Sequence, residues 1–158
     1  MSEPVRHTLH SAGPEETEAL GRRFGRTAPA GGLVALTGQL GAGKTCFVRG
    51  LAAGLGADPD EVHSPSFIIM TEYGGGRLPL HHVDLYRLEQ SQTDALWLRD
   101  ALYGHGVAAV EWFDRLSSAP PADLLAVELR YGTENGRTIR LTTRGARHAG
   151  WLAAALGD

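Results

Sequence analysis

The residues Gly38-Gln39-Leu40-Gly41-Ala42-Gly43-Lys44-Thr45 follow the spacing G-x-x-x-x-G-K-[ST], the pattern of a phosphate-binding loop. Glycines at 38, 41 and 43 allow turns that a Cβ would forbid, so successive backbone N–H groups can converge on an anion. A helix beginning near Lys44 adds the positive end of its dipole. The expected nucleotide contacts are Gly38, Leu40, Gly41, Ala42, Gly43, Lys44, Thr45 and Cys46. Lys44 reaches the β- and γ-phosphates, and the Thr45 hydroxyl ligates Mg²⁺. Fourteen of the fifteen basic residues are arginine, and Lys44 is the only lysine. A lysine kept at the one position that wants a compact ammonium adds weight to the motif.

Two acids are placed to serve the same centre. Leu78 to Asp84 and Val107 to Trp112 each hold an apolar run that ends in a carboxylate, Asp84 in the first and Glu111 in the second. Parallel strands present their functional residues at the carboxyl edge, so both acids can face the loop. One division has Asp84 holding Mg²⁺, directly or through water, while Glu111 aligns or deprotonates an attacking water. The sequence is equally compatible with the reverse. Val62-His63-Ser64-Pro65-Ser66-Phe67 reads by itself as an ordinary strand-entry turn, and alternatively as a switch-like segment in which Ser66, with Ser64 beside it, offers a hydroxyl able to sense a γ-phosphate. His81 and His82 fall on opposite faces of a strand and so read as packing or hydrogen-bonding residues rather than as a metal pair.

The elements that must position these groups are legible around them. Leu33 to Thr37 is short, apolar and β-prone. Phe47, Val48, Leu51, Ala52 and Leu55 have helical spacing that ends at Gly56. Arg6 to His10 reads as an edge strand. A helix follows from Pro14, with Leu20 and Phe24 facing the core and the chain unwinding over residues 25–32. Ile68 to Tyr73 reads as a strand, Thr93 to Tyr103 as a helix, and residues 125–131 and 138–143 as an antiparallel hairpin around Asn135-Gly136. A last amphipathic helix covers roughly Ala146 to Leu156. The predicted fold is α/β, a P-loop NTPase-like three-layer sandwich. Its largely parallel central sheet is extended by antiparallel strands and a C-terminal hairpin, in one domain over 1–158.

Composition narrows the function. A net charge of −3 with 42% hydrophobic residues gives no electrostatic case for a nucleic-acid platform. The sequence shows no apolar signal region or membrane-length run, and Cys46 is alone, so a reducing cytoplasm is expected. Cys46 itself reads as a small buried helix residue. The guanine motif Asn-Lys-x-Asp is impossible, because Asn135 and Lys44 are the only residues of their types and lie far apart, so ATP is favoured over GTP. Three readings follow: an ATPase subunit, a small-molecule kinase, or a nucleotide-gated binding protein without meaningful hydrolysis.

His63-Ser64-Pro65-Ser66-Phe67, His82-Val83-Asp84-Leu85-Tyr86-Arg87-Leu88 and Val110-Glu111-Trp112, at these intervals after the phosphate loop, resemble the TsaE (formerly YjeE) family. The resemblance spans nearly the whole chain. It implies a cytoplasmic ATPase needed for threonylcarbamoyladenosine at position 37 of tRNAs reading codons that start with A. It also implies ATP and Mg²⁺ as ligands, weak intrinsic hydrolysis, and action with TsaB and TsaD, so that tRNA is met through the complex. By motif, Lys44 and Glu111 are the catalytic pair, and Thr45, Asp84 and Glu111 the metal set. Ser66 holds the switch hydroxyl, and Trp112 lies by the nucleotide. Ser66 stands where Thr is usual, Gln39 where an acid is usual, Cys46 where a hydroxyl residue is usual, and Phe113-Asp114 where Pro-Glu is common.

Overall fold

The two apolar runs without polar alternation lie at the centre of the sheet. Leu33–Gly38 (β2) and Val107–Glu111 (β5) pair in parallel, with Leu33 opposite Ala108 and Leu36 opposite Glu111. All five β5 residues are buried, as a strand covered on both faces requires. The computed structural model describes residues 4–39, 41–63, 70–86, 96–115 and 121–157.

Around this pair the chain places Arg6–Ser11 (β1), Pro14–Thr27 (α1), Lys44–Leu55 (α2), Met70–Tyr73 (β3), Leu80–Asp84 (β4), Leu96–Tyr103 (α3), Leu124–Tyr131 (β6), Arg137–Arg144 (β7) and Ala146–Leu156 (α4). The sheet order is β1-β7-β6-β2-β5-β4-β3. β6, β2, β5 and β4 are mutually parallel, while β3, β7 and β1 add antiparallel pairs at the flanks. Helices α1, α2 and α4 cover one face through Phe24, Phe47, Leu51 and Trp151. Helix α3 covers the other through Leu98, Ala101 and Leu102, against Val83, Ala108 and Val110. The expected three-layer α/β sandwich is therefore present.

Close backbone approach seats α2, and with it the loop at its start. A Cβ on Gly50 would stand 1.9 Å from the Glu18 carbonyl oxygen of α1, and one on Gly25 would stand 2.3 Å from that of Leu51. Such contacts admit only glycine, so the two helices lie nearly backbone to backbone. A second tie fixes β2 from the other end. The Leu33 N–H donates to His148 Nε2 at 2.9 Å, and His148 Nδ1 bonds Asp123 Oδ1.

Two local expectations change, the end of α1 and the place of the hairpin's first strand. Helix α1 continues through Gly25 to Thr27, because Gly25 packs under α2 instead of ending the helix. The hairpin forms where expected, around Asn135-Gly136. It closes with five residues, Gly132 to Gly136, a Gly132 N–H to Gly136 carbonyl bond of 2.9 Å and Glu134 at φ 54°. Its first strand, β6, also joins the parallel core beside β2, so the hairpin is built into the central sheet.

Candidate functional site: the carboxyl edge of the parallel strands

Gly43 caps α2 with φ 107°, a left-handed backbone suited to glycine, and this turn aims the start of the helix at the loop. Lys44 is only 4% exposed. Its Nζ donates to the Gly38 carbonyl at 2.7 Å and the Gln39 carbonyl at 3.0 Å, so the side chain folds back over the loop. The same ammonium sits 4.2 Å from the centroid of the Trp112 ring. Burial pushes the Lys44 ammonium below its ordinary 10.5, and the charges of Glu111, Asp84 and Asp114 push it back up.

The two acids arrive together because β4 and β5 are parallel and Asp84 pairs with Glu111 in register. Both are buried, and in-register residues of parallel strands share a face. Thr45 Oγ1 lies 3.4 Å from Glu111 Oε1 and 3.3 Å from Oε2. Asp84 Oδ1 accepts from the Tyr86 N–H at 2.9 Å, a local turn that holds its carboxylate at the strand end. Hydroxyl and carboxylate oxygens are the hard donors Mg²⁺ prefers, with water and phosphate completing the shell. Among the described residues no group of three or more His, Cys, Asp or Glu forms a metal cage.

Trp112 turns out of the strand with φ 58°, a costly conformation for a bulky residue. That turn sets its ring 4.7 Å from Tyr86 and beneath Lys44. Beside it opens a cleft of ≈ 700 Å³ lined in part by Thr37, Gly38, Gln39, Trp112 and Asp114. Gly41 and Ala42 lie in the loop as expected, and Cys46 is a half-buried free thiol rather than a buried one. Leu40, Ser64 and Ser66 lie outside the described residues.

Two sets of residues join the site without having been assigned to it. His82 is fully buried, and its Nε2 meets Glu111 Oε2 at 2.5 Å. A hydrogen-bonding role for His82 was legible in the strand alternation. Its partner was not, because the partner depends on the β4–β5 register. Tyr131 and Arg137, at the ends of β6 and β7, reach Gly41 and Ala42, and no local motif signals them.

A parallel sheet with a glycine loop between β2 and α2, and acids at the carboxyl ends of two neighbouring strands, defines a P-loop NTPase-like fold. Within that class the chain belongs to the TsaE family. The family profile described as threonylcarbamoyl adenosine biosynthesis protein TsaE matches residues 11–139. The chain is 39% identical over 135 residues to the tRNA threonylcarbamoyladenosine biosynthesis protein TsaE of Bacillus subtilis, covering 85% of this chain and 84% of that one. It is 40% identical over 135 residues to the protein of the same name from Nostoc, covering 83% and 82%. The crystal structure of Bacillus subtilis YdiB superposes with a TM-score of 0.82 at 31% identity, over 99% of this chain and 97% of that one. The family acts in tRNA threonylcarbamoyladenosine biosynthesis.

Proposed function

We propose that this chain binds ATP with Mg²⁺ and hydrolyses it slowly, as the cytoplasmic ATPase subunit that works with TsaB and TsaD. The product of the assembly is threonylcarbamoyladenosine at position 37 of tRNAs reading codons that start with A. The observation that carries this reading is the convergence of Lys44, Thr45, Asp84 and Glu111 at one strand edge.

Lys44 exchanges its bonds to the Gly38 and Gln39 carbonyls for charge-assisted bonds to the β- and γ-phosphates. Thr45, with Asp84 and Glu111, supplies the oxygen donors for Mg²⁺, which when bound neutralises charge on the phosphate oxygens. His82 holds Glu111 at Oε2 and so fixes the carboxylate that orients a water and takes its proton. Trp112 flanks the phosphates, and Ser64 and Ser66 belong to the segment that senses the γ-phosphate.

The sequence signals no lid insertion or arginine finger to enclose the γ-phosphate, so hydrolysis by the isolated chain is slow. In GTPases, completing such a site in trans raises rates by about 10³ to 10⁵. A docked TsaB–TsaD pair acts in the same sense here. Phosphate release is to be measured with no acceptor present, with and without the cognate TsaB–TsaD complex. The expected result is slow release alone, stimulation by the complex, and dependence of multiple-turnover tRNA modification on this chain. Both effects vanish in Glu111→Gln while ATP still binds. A complex that neither binds this protein nor changes its hydrolysis contradicts the assignment.

A further inference from the structure

Three strands end at one point beside the phosphate loop. Arg137 opens β7, opposite Tyr131, the last residue of β6, and Ser11, the last of β1. Its guanidinium spreads over the outer side of the loop. Nε donates to the Ala42 carbonyl at 3.1 Å and one terminal nitrogen donates to the Gly41 carbonyl at 3.3 Å. The other terminal nitrogen donates to the Gly136 carbonyl at 2.8 Å, tying the fork to its own hairpin. The guanidinium carbon lies 4.5 Å from the centroid of the Tyr131 ring. The Tyr131 hydroxyl stands 2.8 Å from where a Cβ on Gly41 would be, so this ring supports both the arginine and the loop.

The contact has a consequence for anion binding that follows from peptide geometry. A trans peptide points its C=O and the next N–H in opposite directions. Holding the Ala42 carbonyl outward on Arg137 directs the Gly43 N–H inward, toward the anion cradle. The Gly41 carbonyl is held the same way, and the Ala42 N–H is kept in the turn by the Gln39 carbonyl at 3.0 Å. Gly41 and Gly43 are the residues that lose most freedom when a loop is ordered, so fixing these planes beforehand removes that cost from binding. A planar guanidinium stacked on an aromatic ring fixes the directions of its donors, whereas a lysine ammonium is a point charge on a flexible stem and does not.

We propose that Arg137, seated on Tyr131, is a positioning residue that preorganises the phosphate loop for the triphosphate. This rests on the ATP-binding reading, and the test separates the two. Calorimetric titrations of a non-hydrolysable ATP analogue and of pyrophosphate are run on wild type, Arg137→Ala, Arg137→Lys, Tyr131→Leu and Lys44→Ala. Arg137→Ala weakens both ligands by a similar factor, about tenfold. Arg137→Lys recovers only part of the loss, Tyr131→Leu shows a smaller loss in the same direction, and millimolar guanidinium restores Arg137→Ala. Tyr131→Leu also keeps the test decisive should Arg137→Ala fail to fold. ATP affinity within twofold of wild type in the Arg137 and Tyr131 variants, with Lys44→Ala still losing binding, overturns this inference alone. Loss of ATP without loss of pyrophosphate, or full recovery by lysine, also overturns it. Wild-type protein that binds neither ligand overturns the ATP reading and this inference with it.

Discussion

His82 Nε2 and Glu111 Oε2 are 2.5 Å apart, in a place where the histidine is fully buried and the glutamate is 3% exposed. A carboxylate only accepts, so the histidine donates from Nε2 and its Nδ1 is left to accept from the Tyr73 hydroxyl at 3.4 Å. That hydroxyl is also 3.5 Å from the His63 carbonyl, and its one hydrogen serves one of the two. Glu111 is thus held at Oε2 by β4, while Thr45 Oγ1 of α2 lies within 3.4 Å of both carboxylate oxygens. His82→Leu is expected to lower ATP turnover about tenfold, by analogy with other residues that orient a reacting group, while leaving ATP affinity within about threefold. His82→Gln, which keeps a donor near the Nε2 position, is expected to recover much of the turnover. Single-turnover hydrolysis beside equilibrium binding separates the two quantities, and an affinity loss as large as the rate loss contradicts the positioning role.

Trp112 shares its ring face with the Lys44 ammonium at 4.2 Å and its flank with Tyr86. A cation over an indole is attracted by the ring quadrupole, so moving that cation changes the electronic environment of the ring. Saturating ATP draws Lys44 toward phosphate and is expected to shift Trp112 emission. Trp97 and Trp151 also emit, and Trp151 is buried with its indole N–H on the Phe24 carbonyl at 2.9 Å. The measurement uses the Trp97→Phe, Trp151→Phe background. Emission insensitive to nucleotide there places Trp112 away from the ligand.

His148 links stability to pH through geometry remote from the loop. Its Nε2 accepts from the Leu33 N–H and so must be unprotonated, while Nδ1 faces Asp123. Burial pushes the imidazole below its ordinary 6.5, against the raising effect of Asp123, and Arg147 adds to the lowering. The unfolded histidine therefore binds a proton at a higher pH than the folded one. This contribution to stability is fully present above pH 6.5 and is lost as the pH falls from there toward the folded pKa, at no more than about 1.4 kcal/mol per pH unit. Denaturant melts from pH 7.5 to 5.5 are expected to show this slope in wild type and a shallower one in His148→Gln. Equal slopes exclude His148 as their source.

The parts of the molecule that were legible beforehand are those set by local chemistry. The loop follows from its own glycines and lysine, and β5 from an unbroken apolar run. The two acids follow from strands that end in a carboxylate, and α2 from its helical spacing. What could not be read depends on register and packing between distant segments. The 2.5 Å contact of His82 with Glu111 requires β4 and β5 to be neighbours in one particular alignment. The reach of Arg137 to Gly41 and Ala42 requires β7 to begin beside the loop, across separations of 96 and 95 residues.

The central claim is that this loop is an ATP site whose charge recognition rests on Lys44. Calorimetric titration of ATP with Mg²⁺ into wild type and Lys44→Ala tests it most directly. The chain has no second lysine, so the charge-assisted contact to phosphate cannot be replaced. Wild type is expected to bind stoichiometrically, and Lys44→Ala to lose about 10- to 100-fold in affinity with its fold intact. Equal ATP affinity in the two proteins, or no heat of binding in wild type, contradicts the account.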